Sequence, residues 1–286
     1  MLTPKIHITL VANERYRPGL EVTKRSMIDA AKDAESLCFH EYGDVEMEPF
    51  LARVPLENYN GSKLPYLRLF LPELLPELDW IIYSDVDTIW NLDPAELWKL
   101  KDETKSICWV KDLDTTRAEC ERWSGLELPN YACSGVCLIN LKKWREEGIT
   151  ERCLNFLRGH GCPPYADQDV LNIVLKDDAR LLPQKWDRLI PSYFDEKSVY
   201  HITGIGRHFD KGTYDGTTPQ YALWFKCAGR SYAWHGCWRV MAILGIILLP
   251  ILVLLDTVPG PFGWKVLLMR VRRQFGFAKV LMRERR

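Results

Sequence analysis

The segment that decides the fold reads WIIYSDVD over residues 80–87. Its first five residues, Trp80–Ser84, form a continuous apolar run, which is typical of a strand that is buried on both faces of a sheet. Asp85 and Asp87 follow immediately. Two carboxylates at the end of a buried strand are costly unless a cation neutralises them. Oxygen ligands of this kind suit Mn²⁺ or Mg²⁺, and such an ion can in turn hold a diphosphate.

Strand and helix patterns alternate on both sides of this segment. A first strand, Ile6–Ala12, is apolar on both faces and is expected inside a parallel sheet. This alternation predicts an α/β fold with a doubly wound, mostly parallel central sheet, which binds ligands at the carboxyl ends of its strands. Further strands are predicted at Leu37–His40, Ile107–Val110 and Val136–Ile139, and helices at Glu21–Ala34, Leu64–Leu71 (opened by Pro65 and interrupted at Pro72), Leu141–Arg158 and Asp169–Leu175.

Composition narrows the class of protein and its surroundings. The 38 basic and 38 acidic residues balance, so there is no overall charge that would favour nucleic acid. Nine cysteines are scattered without the spacing of a zinc knuckle, and several of them lie in apolar runs. The first ten residues lack the pattern of a signal peptide. These features predict reduced thiols and a cytosolic domain.

Six blocks, in the correct order over about the first 210 residues, resemble glycosyltransferase family 8, the group that contains bacterial lipooligosaccharide galactosyltransferases and glycogenin. The strand and Asp pair at residues 81–87 resemble the family's DxD segment. The other matching blocks are LVANERY at residues 10–16, YLRL at 66–69, CSGVCLINLKKW at 133–144, DQD followed by LN at 167–172, and HITGIGR at 201–207.

The resemblance implies a GT-A fold and a metal site. It implies that Asp85, Asp87 and His201 bind Mn²⁺, with Mg²⁺ as an alternative ion. A neutral imidazole would add a ligand without adding negative charge. Taken alone, a histidine such as His201 is more often a structural residue whose hydrogen bonds are satisfied. The alternative for the acidic pair is a solvated loop, in which Asp93 caps a helix over Pro94–Leu100.

The resemblance also implies a UDP-sugar donor and a retaining transfer of a hexose, galactose or glucose, to a glycan or lipid-linked acceptor such as lipopolysaccharide core. Asp167 and Gln168 are the candidate catalytic residues. An amide is a poor nucleophile, which favours attack on the same face as the leaving group. The alternative role for Asp167 and Gln168 is an N-terminal cap on the helix that follows. The residues expected to line the donor site are Ala12, Asn13, Tyr16, Arg68, Val86, Ser134, Gly204 and Arg207.

The sequence departs from the family pattern at several points. Cys133 stands where the family has Asn, and Arg207 stands where it has Lys. Arg keeps the positive charge for a diphosphate but has a different shape. The stretch from Met27 to Arg68 is also shorter than in the family and is predicted to lack one strand–helix unit.

The last sixty residues differ in composition from the body of the chain, which predicts a domain over residues 1–225 and a tail over 226–286. Val240–Leu255 has no charged residue but is shorter than the roughly twenty residues of a membrane span, and it contains Pro250. A basic amphipathic stretch follows the turn at residues 259–261. We expect residues 240–286 to dip into one leaflet and lie on anionic headgroups, at the cytoplasmic face of a membrane.

Two other functions compete with glycosyl transfer. A phosphohydrolase of the HAD class also has a strand followed by DxD, but its motif has Thr four residues after the first Asp, where this chain has Ile89. The second is a nucleotide-sugar-binding homologue with weakened catalysis, which Cys133 and Arg207 favour. Asp85, Asp87, His201 and the pair Asp167-Gln168 argue against that loss.

Overall fold

The computed structural model describes residues 5–55, 63–189 and 197–203. Strands and helices alternate along most of this part of the chain. The strands are β1 (Ile6–Val11), β2 (Leu37–Tyr42), β3 (Trp80–Ser84), β4 (Thr88–Trp90), β5 (Ile107–Lys111), β6 (Ala132–Asn140), β7 (Ala179–Leu182), β8 (Arg188–Leu189) and β9 (Val199–His201). The α-helices are α1 (Arg17–Ala30), α2 (Asp44–Leu51), α3 (Leu71–Leu74), α4 (Pro94–Trp98), α5 (Asp114–Ser124), α6 (Leu141–Glu146), α7 (Ile149–His160) and α8 (Ala166–Val174), and 3₁₀ helices cover Glu14–Tyr16, Ala34–Ser36, Leu64–Phe70 and Gln184–Trp186.

The central sheet has six strands in the order β2-β1-β3-β6-β5-β7. Strand β6 runs antiparallel to both of its neighbours, whereas the remaining pairs in this sheet are parallel. The α/β class is confirmed, and the central sheet, predicted to be mostly parallel, is a mixed sheet with β6 as its antiparallel strand. Because a continuous apolar run indicates burial on both faces and not strand direction, the sequence could not distinguish these arrangements. Strand β1 lies inside the sheet as predicted, between β2 and β3.

Several predicted helix boundaries differ from the observed ones. The predicted helix Leu64–Leu71 is a 3₁₀ helix. Pro72 does not end it but lies in the first turn of α3, where a backbone N–H would have no partner within the helix, so a proline is tolerated. The predicted helix Leu141–Arg158 divides into α6 and α7 at Gly148, whose φ of 60° is accessible mainly to glycine. Helix α8 begins at Ala166, before the predicted start at Asp169. Helix α1 begins at Arg17 and ends at Ala30, ahead of the predicted range Glu21–Ala34.

Apolar side chains cover both faces of the sheet. On one face, Ile8 and Leu10 of β1 pack in a cluster with Leu20 and Met27 of α1. On the other face, Ile81 and Tyr83 of β3 belong to a cluster with residues of α6, α7 and α8. Strand β3 is therefore buried on both faces along its whole length, as predicted. This packing fixes where β3 ends, and so where Asp85 and Asp87 emerge.

The predicted boundary at residue 225 and the predicted membrane-associating residues 240–286 lie outside the described residues. Within the described residues, no helix combines the length and the apolar composition that crossing a bilayer requires.

Candidate active site

Asp85 and Asp87 occupy a short connection between β3 and β4. Hydrogen bonds hold this connection in place: the Thr88 hydroxyl donates to the Asp85 carbonyl at 3.0 Å and lies 2.9 Å from the Ser84 hydroxyl. The backbone N–H of Asp85 donates to the Gly135 carbonyl of β6 at 2.7 Å. The two carboxylates thus project from a fixed backbone at the carboxyl end of a buried strand.

His201 reaches the same place from a distant part of the chain. Strand β9 pairs antiparallel with β4, and the register places His201 opposite Thr88. Its Nε2 lies 3.1 Å from Asp87 Oδ1 and 3.8 Å from Asp85 Oδ2. One ligand atom from each of Asp85, Asp87 and His201 lies within 4.8 Å of the other two. Two carboxylates and one imidazole form a donor set that suits a hard divalent cation such as Mn²⁺ or Mg²⁺. Their role as metal ligands stays a prediction.

Gly135 provides the space for this convergence. A Cβ atom at this position would lie 2.2 Å from His201 Cε1 and 3.1 Å from Asp85 Oδ2. Gly135 belongs to the buried centre of β6, where the backbone cannot move away easily. A glycine is therefore required at position 135 by the close approach of His201, and not by a turn.

We therefore expect Gly135→Ala to displace His201 from the two aspartates. A methyl group at 2.2 Å from an imidazole carbon cannot be accommodated without movement of the buried His201 ring. Mn²⁺ affinity, measured by isothermal titration calorimetry, should fall at least about tenfold, and unfolding stability should fall by about 1–3 kcal/mol. Gly159→Ala is a matched control, because no atom lies within 4 Å of a Cβ built there. Unchanged Mn²⁺ affinity in Gly135→Ala would contradict this geometry.

Asp187 is a site residue that the sequence analysis missed. Its Oδ1 lies 3.1 Å from His201 Nδ1, and the residue is fully buried. Once a cation displaces the Nε2 proton, a carboxylate on Nδ1–H would fix the tautomer whose Nε2 lone pair faces Asp85 and Asp87. Burial opposes protonation of His201, yet Asp87 and Asp187 together raise its pKa well above its ordinary value. Asp187 lies between the 3₁₀ helix Gln184–Trp186 and the first residue of β8. It belongs to none of the quoted motifs, and its proximity to His201 becomes evident only from the pairing of β8 with β9.

We expect Asp187→Leu to weaken Mn²⁺ binding while Asp187→Asn largely preserves it. An Asn side chain can still accept the Nδ1–H hydrogen bond, whereas Leu removes the acceptor and frees the imidazole to change tautomer. Loss of such a supporting group typically costs about 10–100-fold in metal affinity. Calorimetric titration of Mn²⁺ into the two variants checks the order. Equal affinities in Asp187→Leu and the unchanged chain would refute a positioning role.

Arg68 connects the Asp pair to the candidate catalytic residues. Its guanidinium is buried, donates to Asp85 Oδ1 at 2.9 Å, and pairs with the buried carboxylate of Asp167. It also lies over the ring of Tyr83, 4.0 Å from the ring centre. Burial raises the pKa of Asp167 to about 7, and the charge of Arg68 opposes that rise. Arg68 and Asp167 therefore belong to the same face and edge of the sheet as Asp85.

Gln168 is held by hydrogen bonds on both sides of its amide. Its Oε1 accepts from the Ser134 N–H at 3.0 Å, and its Nε2 donates to Asp112 Oδ2 at 2.7 Å and to the Tyr131 hydroxyl at 2.9 Å. Ser134 is the residue next to Gly135 on β6. Gln168 is thus hydrogen-bonded to β6, the strand in which Gly135 leaves space for the His201 ring. Asp112 and Tyr131 are contacts that the sequence analysis did not identify.

The alternative capping role of Asp167 and Gln168 is wrong. Asp167 pairs with Arg68, and Gln168 bonds as described, so neither side chain caps α8. Instead, Asp169 Oδ2 accepts from the backbone N–H of Tyr165 at 2.8 Å. Ala166, which begins α8, has a φ of 49°, a conformation that is uncommon for a residue with a side chain. Backbone strain of this kind clusters at functional sites.

The other predicted donor-site residues divide into described and undescribed ones. Ala12 follows β1 and Val86 follows β3, and the two strands are adjacent, with Leu10 opposite Ser84. Asn13 caps the 3₁₀ helix Glu14–Tyr16 by accepting from the Tyr16 N–H at 3.0 Å. Gly204 and Arg207 lie outside the described residues. The helix cap by Asp93 is confirmed, since its Oδ1 accepts from the Ala95 N–H at 3.0 Å.

Cys133 is buried beside His201, with its Sγ 3.7 Å from His201 Nδ1. Burial raises the pKa of the Cys133 thiol, so the group remains a neutral thiol at physiological pH. In this position Cys133 packs behind the imidazole, on the side that faces Asp187, and not towards the two aspartates. Its substitution for Asn therefore leaves the three candidate ligands in place.

Comparisons with known proteins show which family this chain is similar to. The model of the glycosyl transferase family 8 matches residues 39–207. A lipopolysaccharide 1,2-glucosyltransferase of Escherichia coli (strain K12) is 33% identical over 178 residues, covering 61% of this chain and 50% of that protein. General stress protein A of Bacillus subtilis (strain 168) is 26% identical over 190 residues, covering 65% of this chain and 64% of that protein. The chain spans between 39% and 64% of the length of the first four curated relatives.

A solved structure has the same fold. The galactosyltransferase LgtC, in complex with donor and acceptor sugar analogues, superposes with a TM-score of 0.64 at 20% identity, covering 81% of this chain and 99% of LgtC. At that identity the likeness supports the fold alone. The family match covers more than half of the chain and includes the Asp pair, the Gly135 segment, Asp167-Gln168 and His201. The chain belongs to glycosyl transferase family 8.

Proposed function

We propose that the protein is a metal-dependent, retaining glycosyltransferase that moves a hexose from a UDP-sugar to a glycan or lipid-linked acceptor. The observation that carries this proposal is the grouping of Asp85, Asp87 and His201 beside the buried Arg68–Asp167 pair. These groups combine a cation site with a fixed positive charge and a carboxylate at one edge of the sheet, which is where open α/β sheets bind ligands.

Asp85, Asp87 and His201 would hold the cation, and Asp187 would keep His201 in the required tautomer. When bound, the cation would stabilise the negative charge that develops on the departing diphosphate. Arg68 donates a hydrogen bond to the Asp85 carboxylate at 2.9 Å. Arg207, expected from the sequence to contact the diphosphate, would add a second positive charge. The chain's own contribution is thus a preorganised arrangement of charges at the leaving group.

The surroundings of Asp167 and Gln168 support attack on the same face as the leaving group. A two-step route needs a free nucleophile below the anomeric carbon. Gln168 is an amide whose oxygen and nitrogen are both hydrogen-bonded, and Asp167 is buried and paired with Arg68. Neither group is arranged as a free nucleophile. Asp167 and Gln168 instead fit a role in binding sugar hydroxyls and orienting the donor.

The nature of the donor and acceptor rests on the relatives. The Escherichia coli relative is named a lipopolysaccharide 1,2-glucosyltransferase and LgtC a galactosyltransferase. These names support glucose or galactose as the sugar, and lipopolysaccharide core or another cell-surface glycan as the acceptor. A test is a panel of UDP-sugars, incubated with the purified chain and Mn²⁺ without acceptor. Release of UDP from UDP-glucose or UDP-galactose, abolished by EDTA, is expected; no release from any UDP-sugar would contradict the proposal.

The position of Ile89 argues against the HAD-type phosphohydrolase. This residue is fully buried in β4 and provides no hydroxyl for a phosphate. The weakened-homologue alternative is also not favoured, since Cys133 lies behind His201 and leaves Asp85 and Asp87 accessible to it. Donor hydrolysis in the assay above separates a transferase from a binding protein.

We further propose that residues 240–286 attach the enzyme to the cytoplasmic face of a membrane, on the sequence pattern alone. The full chain should co-sediment with vesicles that contain about 30% anionic lipid, and less so at high salt, because basic residues contribute through surface charge. A chain that ends at residue 230 should remain in the supernatant and still hydrolyse its donor. Equal sedimentation of the two chains would contradict the proposal.

A further inference from the structure

A second group of metal-ligating side chains lies on strands β1 and β2. His7 belongs to β1, and Cys38 and His40 belong to β2. The parallel register places His7 opposite Cys38 and Thr9 opposite His40. Because side chains alternate between the two faces of a strand, His7, Cys38 and His40 share one face of the sheet. None of them belongs to the motifs of the candidate active site.

The ligand atoms of this group are close enough to share one ion. His7 Nδ1 and His40 Nε2 are in hydrogen-bond contact at 3.0 Å, and one ligand atom from each of His7, Cys38 and His40 lies within 4.8 Å of the other two. Tetrahedral zinc with bonds of about 2.0–2.1 Å to nitrogen and 2.3 Å to sulfur places its ligand atoms roughly 3.3–3.6 Å apart. Small side-chain rotations would bring the three atoms to these separations.

The chemistry of the group favours a borderline-soft cation. Burial lowers the pKa of His7 and His40, and the neighbouring His7 lowers that of His40 further. Neutral imidazoles and a thiolate suit Zn²⁺, whereas Mn²⁺ and Mg²⁺ prefer oxygen ligands. Cys38 is a half-buried free thiol, which can lose its proton to a metal.

Two further observations point to a ligand at this place. Thr9 is fully buried beside His40, and its hydroxyl has no hydrogen-bond partner among the described residues. A hydroxyl in this position can bind a water molecule that completes the coordination of the ion. His7 also lines a cavity of about 600 Å³.

We propose that His7, Cys38 and His40 form a Zn²⁺-class site that clamps the edge strand β2 to β1. The site lies towards the amino ends of these strands, whereas Asp85 and Asp87 follow the carboxyl end of β3. The cation would fix an edge strand whose residues are mostly half-buried and therefore contribute less apolar burial than β1 or β3. The two metal sites would differ in ligand type and in the ion that each prefers.

The test uses the full chain, freed of metal with a chelator, and Co²⁺ as a spectroscopic substitute for Zn²⁺. We expect Co²⁺ to produce a near-ultraviolet charge-transfer band from a cobalt–thiolate bond, together with visible bands of tetrahedral cobalt. Zn²⁺ should abolish both, and excess Mn²⁺ should leave them unchanged. Cys38→Ser should lose the charge-transfer band, and His40→Gln should lower Co²⁺ affinity at least about tenfold.

Cys133→Ser is the matched control, because Cys133 is also a thiol beside a histidine and a carboxylate. It should keep the band of the unchanged chain. Zn²⁺ at about a hundredfold excess over its Kd should raise the Tm of the unchanged chain by about 5–10 °C more than it raises that of Cys38→Ser. Absence of the band in the unchanged chain, or its persistence in Cys38→Ser, would overturn the proposal.

Discussion

Asp87→Ala should lose Mn²⁺-dependent donor hydrolysis by at least about a thousandfold, because a cation held at a leaving group contributes several kcal/mol to transition-state stabilisation. The fold should survive, since the Asp87 side chain makes its close contact with His201 and is not a support of the core. The measurement is release of UDP from the accepted UDP-sugar at saturating Mn²⁺, together with circular dichroism of the variant.

Asp93→Ala is the control for this variant. Asp93 is another aspartate shortly after β3, but its carboxylate caps α4. Loss of that cap should cost about 1 kcal/mol of stability and leave Mn²⁺-dependent hydrolysis intact. Full activity in Asp87→Ala would exclude this aspartate as a required metal ligand. A similar loss in both variants would mean that activity follows stability and not the metal.

Arg68→Leu should lower the free energy of unfolding by about 3–5 kcal/mol, because it leaves the carboxylate of Asp167 buried without a counter-charge. Without Arg68, burial and the neighbouring charge of Asp85 raise the pKa of Asp167 further. The carboxyl of the unchanged chain loses its proton near pH 7 whereas that of the variant keeps it, so the loss of stability should grow as the pH rises above about 7. Urea unfolding at about pH 6 and about pH 9 measures the effect.

The double variant Arg68→Leu with Asp167→Leu tests the cause. Removing both charges should recover much of the lost stability, because a buried ion pair can often be replaced by apolar residues with little cost. It should not recover activity, because Asp85 would lose its hydrogen bond from Arg68. A double variant as unstable as Arg68→Leu would show that the guanidinium acts through packing on Tyr83 and not through Asp167.

The sequence was sufficient for the α/β class because its signal is local. The apolar run Trp80–Ser84 and the abrupt change to Asp85 determine a buried strand with acidic residues at its end, and the structure has both. Strand direction was not predictable in the same way. Whether β6 runs parallel or antiparallel depends on the path of the chain around α5. All nine residues of β6 are buried, and a fully buried strand has the same apolar pattern in either direction.

The grouping of site residues was predictable only through the resemblance to the family. Nothing local in the sequence connects Asp87 with His201; the pairing of β4 with β9 does so in the structure. Asp187 and Gly135 could not have been assigned their roles beforehand. Asp187 acts through a contact made by β8 and β9, and Gly135 matters because of a distance to a ring from another strand. The cluster of His7 with Cys38 and His40 was missed because its ligands belong to two strands and match no local spacing.

The most direct test of the central claim is the effect of UDP on the Tm of the full chain, with and without Mn²⁺. We expect a rise of about 5–10 °C when UDP at a hundredfold excess over its Kd is added with Mn²⁺, since a cation held by Asp85, Asp87 and His201 would also bind the diphosphate. With EDTA, or in Asp87→Ala, UDP should produce little or no rise. An equal rise with and without Mn²⁺, or no rise in either case, would contradict a metal-dependent nucleotide site at the end of β3.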